Sequence, residues 1–315
     1  MGYTAGDKIL DDQYNAFVNN SSAPFGYNHF AGTGSGEYGL GQTHIGTQIV
    51  GDKILASHWN TLFTGLDNIA NHTNASITAT TVESGDTIAI KSALITDLAT
   101  LASAVAGGST SATAIGTNAV GQSTNSGTWN TTSTIERSIT FGSADAMRHF
   151  FNAGGFIRIT CATSGSVDGN KDTEFSNICS AIGNLDLKAH STARGGSGQT
   201  QTSFDSGNGF HDLGTGYSSK IKITSSGTYN SNFVEISAKL NAAVGTATVL
   251  TIKMVSSDPA ADTTYTSGNL SGVPADPNKA PAMQLTLVEH HPTAAQGLSG
   301  AIQASSNAEV SNSQS

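Results

Sequence analysis

A pentapeptide near the start of the chain, Gly6-Asp7-Lys8-Ile9-Leu10, returns as Gly51-Asp52-Lys53-Ile54-Leu55. The register continues, with Tyr14-Asn15 against Trp59-Asn60 and Phe17 against Leu62, so the repeated unit spans 6–18 and 51–63. Each copy predicts a short extended lead-in followed by a helix, capped by Asp11 or Asp12 in the first copy and by Ser57 in the second. Apolar residues at 14, 17 and 18, and again at 59, 62, 63 and 66, fall on one helical face, and the second helix is expected over about 57–71. One short amphipathic helix cannot bury a core unaided, so the two must pack on each other or on a neighbouring subunit. On the second alternative Tyr14 and Trp59, with Phe25, Tyr27 and Tyr38 between the copies, are the candidate subunit-interface residues. On the first, they close a small helical core within one chain.

Between the copies lies Gly32-Thr33-Gly34-Ser35-Gly36-Glu37-Tyr38-Gly39-Leu40-Gly41-Gln42. Glycines 34, 36 and 39 have dinucleotide-loop spacing, but no buried strand precedes them, no helix opens from them and no acidic residue stands about 20 positions on. The segment reads as a tight irregular loop whose glycines permit positive φ and let aromatics lie on bare backbone.

Residues 77–90 alternate around Glu83-Ser84-Gly85-Asp86 and predict a hairpin. Leu94, Ile95, Leu98, Leu101, Ala102 and Val105 predict a helix over 91–106, stopped by Gly107-Gly108. From 107 to about 134 the chain is rich in Gly, Ser, Thr and Asn, with Trp129 as its one bulky residue, and reads as a linker. Beyond it, Thr134–Phe141, Phe156–Thr163, Lys220–Thr224, Phe233–Leu240, Thr248–Val255 and Met283–Val288 are expected as strands, with helical inserts at Ala144–Asn152 and Glu174–Leu187. Period-two alternation and Gly/Asn turns favour an antiparallel arrangement.

The expected class is therefore α+β, mainly β. It comprises an N-terminal helical and loop assembly region (1–75), a hairpin, helix and linker (76–134), an antiparallel β-sandwich with short helical inserts (135–290), and a polar, loose tail (291–315).

Composition narrows the function classes. Charged residues make up only 12% of the 315, the formal net charge is −9, and serine with threonine supplies about a quarter of the chain. An ordinary soluble domain carries about twice that charged fraction. The acidic balance and the lack of any Lys/Arg cluster argue against nucleic-acid partners. No apolar run reaches the length of a membrane span, so membrane insertion is not expected. The opening Met1–Asp7 has neither the basic start and apolar core of a secretory leader nor, with Gly6, a myristoylation pattern. A neutral, hydroxyl-rich surface suits contact with other protein copies, since it incurs little ionic desolvation and little side-chain ordering.

Candidate chemistry is sparse. Asp168, Asn170, Asp172 and Glu174 place oxygen side chains at alternate positions, a spacing that can supply calcium ligands. The glycine is misplaced for an EF-hand and no glutamate stands at loop position 12, so a turn into a helix capped by Asp172 explains the run equally well. The nine histidines, among them His29, His44, His58, His72 and the pair His290-His291, show no zinc spacing, and 290 and 291 point to opposite sides of a strand. Cys161 and Cys179 are either buried thiols or one bridge. No nucleophile elbow occurs and no carboxylate pair can be assigned. No catalytic residue and no cofactor is therefore expected.

One further segment combines a strand end, a capped helix and a turn: the run AMRHFFNAGGFIRI at 146–159 carries Phe150-Phe151 between Ser143 and the Asn152–Gly155 turn. This run, with GTGSGEYGLGQ at 32–42 flanked by aromatic–Asn helices, resembles structural proteins of tailed bacteriophages of the tail, fibre or generic virion type. The resemblance covers roughly a third of the chain and carries no catalytic residue with it. It implies a non-enzymatic role in the virion, in a tail, fibre, neck or baseplate, with partners that are further copies of itself and other virion proteins. A carbohydrate-binding adhesin that grips host surface glycans is the alternative.

Overall fold

A computed structural model describes residues 11–22, 25–31, 44–73, 75–78, 81, 83, 91–106, 115–165, 170–199, 201–226, 229–259, 280–292, 304 and 306–315. The first repeat pentapeptide, the glycine loop with Tyr38, the 84–90 half of the expected hairpin and Asp168 lie outside the described residues. The chain divides into two compact units: 1–116 with 145–155 and 291–303, and 117–144 with 156–290 and 304–315.

The first unit is helical. Its elements are α1 (Asp11–Asn19), α2 (Tyr27–Ala31), α3 (Ala56–Thr73) and α4 (Lys91–Ala106). Both repeat copies become helices, and they pack on each other. Tyr14, Phe17 and Val18 of α1 meet Trp59, Leu62, Phe63 and Leu66 of α3 in one core that also takes Leu94, Leu98, Leu101 and Val105 of α4. Gly65 lies in the middle of α3, where glycine weakens a helix. A Cβ there would stand 2.7 Å from the buried Tyr27 ring, so the bare backbone is what lets α2 approach.

Two asparagines fix the extended segment 44–49 to this core. Asn15 donates from Nδ2 to the Gln48 carbonyl at 2.8 Å and accepts the Gln48 amide at 2.7 Å. Asn28 does the same to Ile45, at 2.8 and 2.9 Å. Each amide stands in for a neighbouring strand, satisfying both backbone groups of the residue it grips. The buried Asp97 on α4 likewise accepts the Thr78 amide at 3.0 Å and its hydroxyl at 3.2 Å. Of the expected hairpin, the described residues 77, 78, 81 and 83 take no strand conformation. The helix α5 (Ala144–Asn152) falls where expected and buries Met147, Phe150 and Phe151, the two phenyl rings meeting edge-on at 4.9 Å.

The second unit is a mainly β, antiparallel sandwich that, among its described residues, carries one α-helix and one short 3-10 helix. Its first sheet runs β1 (Ile115–Thr124), β10 (Ala282–Pro292), β3 (Phe156–Ser164), β4 (Leu185–Leu187), β5 (Thr192–Arg194). Its second runs β11 (Ser306–Gln314), β2 (Thr132–Thr140), β9 (Val249–Ser257), β8 (Phe233–Leu240), β7 (Ser218–Thr224), β6 (Gln201–Phe204). Ile135 and Ile139, Leu250 and Met254, Val234 and Ile236, and Ile221 and Ile223 supply the buried face of the second sheet, at alternate positions as the pleat requires. Helix α6 (Asn170–Ile182) packs against β3 and reaches β7 and β8. It buries the ion pair Lys171–Asp258 at 2.8 Å, with side chains only 1% and 0% exposed.

Three expectations are corrected. The linker 107–134 instead contains β1 and the start of β2, and Trp129 is buried: its amide and carbonyl bridge to Ala280, and Nε1 donates to the Pro281 carbonyl at 2.6 Å. β1 has few apolar side chains, so its ladder with β10 rather than its own pattern makes it a strand. The helix expected to reach Leu187 ends at Ile182, because Gly183 turns the chain at φ +61° and donates back to the Cys179 carbonyl at 2.9 Å. The tail is not loose over 306–314, where β11 pairs along β2 from Ser306–Thr140 to Gln314–Ser133.

Candidate functional site

The aromatic residues expected to face other subunits mostly face inward. Tyr14, Trp59 and Tyr27 are 1%, 2% and 2% exposed, within the helical core of their own chain. Tyr14 donates its hydroxyl to the His58 carbonyl at 3.2 Å, and burial raises its pKa; burial pushes Tyr27 up to about 12. The alternative reading of these residues, a core closed within one chain, is the one the geometry satisfies. Phe25 is half-buried and stacks on His29 with ring centroids 3.8 Å apart. Tyr38 lies outside the described residues. Among the described residues of the helical unit, the large exposed apolar side chains are instead Ile49 (71%), Val50 (90%) and Leu55, around a turn closed by the Asp52 amide to the Ile49 carbonyl. Nothing in apolar periodicity marks them, because a turn has none.

The calcium candidate falls partly outside the described residues. Asp168 lies outside the described residues, Asp172 sits in the first turn of α6, and the Glu174 carboxylate accepts the Ser225 hydroxyl. The helix begins at Asn170, ahead of the expected Glu174, so Asp172 lies inside its first turn, where an acidic group favours the dipole, and does not cap it. Among the described residues no three His, Cys, Asp or Glu side chains gather as a metal site.

What the sandwich does assemble is a polar seam where β1 and β11, edge strands of opposite sheets, come side by side. Arg137, on the buried face of β2, is its hub. Nη1 donates to the Gln122 carbonyl at 3.1 Å and the Ser123 hydroxyl at 2.7 Å, and Nη2 to Asn307 Oδ1 at 2.9 Å. Gly121, at φ +130°, is required here twice over, since a Cβ would meet the guanidinium. Farther along, Asn312 and Gln314 donate from their amides to the Thr124 and Gly127 carbonyls, each at 3.0 Å. At the other end a cleft of about 270 Å³ opens among Asn118, Glu289, Ser306 and Asn307. Burial holds the Glu289 carboxyl above its ordinary value, although it accepts the Ala304 amide at 3.2 Å.

Among the described residues, no strand pairs with the outer edge of β11. Seven of its nine residues are exposed, Val310 to 53%, and as the terminal strand of its sheet it pairs on one side alone. A single bulge between Glu309 and Ser311 interrupts the register with β2.

The outer face of the first sheet carries a different cluster. Phe156 and His290 are register partners and stack at 4.3 Å with planes 7° apart. Beside them Arg158 and Asp186, also register partners, form a bidentate pair at 2.7 and 2.8 Å, which raises the guanidinium pKa. Lys188 lies 5.9 Å from the Phe156 ring.

No family model, curated protein or solved structure matches this chain.

Proposed function

We propose that this chain is a non-enzymatic structural component of a phage particle, acting in a tail, fibre, neck or baseplate by self-association and by docking to other virion proteins. The observation that carries the reading is β11. A nine-residue edge strand bearing one acidic side chain, Glu309, and otherwise Ser, Asn, Ala, Val and Gln presents a row of backbone donors and acceptors to a further strand. Soluble proteins usually guard such an edge with lysines, prolines or a covering loop. Among the described residues the guard is one bulge and one glutamate. The neutral, hydroxyl-rich composition supports the same reading, because pairing Ser and Asn side chains displaces no ions.

The test is the mass of the purified chain by light scattering across a concentration series, beside the edge-lysine variant Ala308→Lys/Val310→Lys. The expected result is an oligomer for the parent and a folded monomer for the variant. A parent that stays monomeric throughout, or a variant that assembles unchanged, rejects edge pairing.

A second reading, a carbohydrate-binding adhesin of the particle, is favoured by the Phe156–His290 platform. Stacked rings flanked by a fixed carboxylate and guanidinium are groups on which a sugar face and its hydroxyls can rest. Binding on a glycan array that disappears in Phe156→Ser would support it over a purely architectural role.

A further inference from the structure

We propose that Cys161 and Cys179 form a modification site, a thiol pair that a small disulfide-bearing oxidant converts into an intramolecular bridge between β3 and α6. Both cysteines are free thiols. Cys161 follows Ile157 and Ile159 at spacing two, so it projects from the same face of β3 as those fully buried side chains. Cys179 stands one helical turn beyond the buried Phe175 on α6, the helix that packs on β3. The two side chains converge, lining one cleft between the strand and the helix.

The pair is also reachable. A surface cleft of about 370 Å³ is lined by both cysteines together with Thr160, Ser176, Ser180 and Asn184. Within it Cys161 is half-exposed and Cys179 buried. Hydroxyls and an amide beside the sulfurs suit a polar thiol reagent such as the tripeptide disulfide of glutathione.

Their unequal burial assigns the order of events. The Cys161 thiolate attacks one sulfur of the oxidant, expels the first small thiolate and becomes a mixed disulfide. Cys179 then loses its proton to solvent and attacks the Cys161 sulfur, which expels the second small thiolate. Two protein thiols and one small disulfide thus become one protein disulfide and two small thiols, with the two electrons passing to the oxidant. The neighbouring Cys161 thiol, and then burial, push the Cys179 thiol up, which keeps it protonated and suits it to the second step rather than the first.

The test treats the reduced full chain with oxidised glutathione and reads intact mass and linked peptides. The expected product is about 2 Da lighter with no adduct, gives a peptide joining 161 to 179, and reverts with dithiothreitol. Its melting midpoint rises by roughly 5 °C, because the bridge restricts the unfolded chain. Cys179→Ser should instead accumulate a glutathione adduct at Cys161, and Cys161→Ser should stay unmodified. A parent chain that remains fully reduced, or stops as a persistent adduct, overturns the proposal. That measurement needs no variant to fold.

Discussion

Tyr14 and Trp59, which hold the same place in the two copies of the repeat, pack edge to face with ring centroids 5.3 Å apart and planes at 84°. The duplicated motif is therefore its own binding partner, and each copy supplies the surface the other cannot do without.

Replacing Trp59 with Ala should destabilise the helical unit by about 3–5 kcal/mol, the usual cost of deleting a buried tryptophan. Tyr14→Phe, which keeps the packing and drops only the hydroxyl bond to His58, should cost about 1 kcal/mol. Chemical denaturation followed by circular dichroism separates the two.

Gly65→Ala makes a sign test. Helix propensity alone predicts a gain of up to about 1 kcal/mol. The Cβ stands against the Tyr27 ring, which has no room to retreat, and overpacking of this kind costs about 1–3 kcal/mol. A lower melting midpoint is expected, and Gly65→Ala/Tyr27→Leu should recover part of the loss.

Breaking the Lys171–Asp258 pair from one side, as in Asp258→Ala, leaves a buried ammonium without its partner and should cost about 3–5 kcal/mol. Replacing both, as in Lys171→Met/Asp258→Leu, should come close to the parent in urea titration, because neither charge then has to be desolvated.

Arg137→Met removes the hub of the seam while keeping the bulk of the side chain. The expected loss is about 2–3 kcal/mol. It should be local as well, with faster amide exchange along 306–314 than in β8. Uniform acceleration across both strands would mean the guanidinium holds no particular strand.

The pH dependence of Glu289 has a definite sign. Its folded pKa is raised by burial above the ordinary value of 4.5. Below that value both folded and unfolded chains hold the proton and the group exerts no penalty. As pH rises through it the unfolded chain ionises first, so stability is lost until the folded carboxyl also ionises. Glu289→Gln should match the parent at low pH and exceed it increasingly toward neutrality, as read from denaturation midpoints across a pH series.

The strands of the sandwich were legible wherever a strand carries its own apolar alternation. Phe233–Leu240 appears with the same bounds in sequence and structure, and 134–141, 156–163 and 283–288 differ only at their ends. Of the strands that went unread, β4 fell within the helix expected over 174–187, β5 and β6 are only three and four residues long, and β1 and β11 are Gly/Ser/Asn-rich and owe their conformation to β10 and β2, partners distant in sequence. No local window contains that information. The same holds for the seam: Arg137 reads as an ordinary strand residue until Asn307, 170 positions away, is placed beside it. Tyr14 and Trp59 are buried in the core of their own chain and not on an exposed face, because a helical stripe cannot say which surface it meets. Asn15 and Asn28 were visible beside their aromatics, yet gripping a distant backbone is a tertiary act.

Both strands that flank β2, namely β9 and β11, lie after it in the chain, with the Arg137–Asn307 bond spanning 170 residues. On the ribosome β2 therefore emerges long before either neighbour and waits with two bare edges. Contacts this far apart in sequence form slowly, since a long loop must close before any bond rewards it. At synthesis rates of roughly 5–20 residues per second, that wait lasts many seconds. One face of β2 carries the half-buried Thr132, Thr134, Glu136, Ser138 and Thr140, side chains that water can solvate while its partners are still being made.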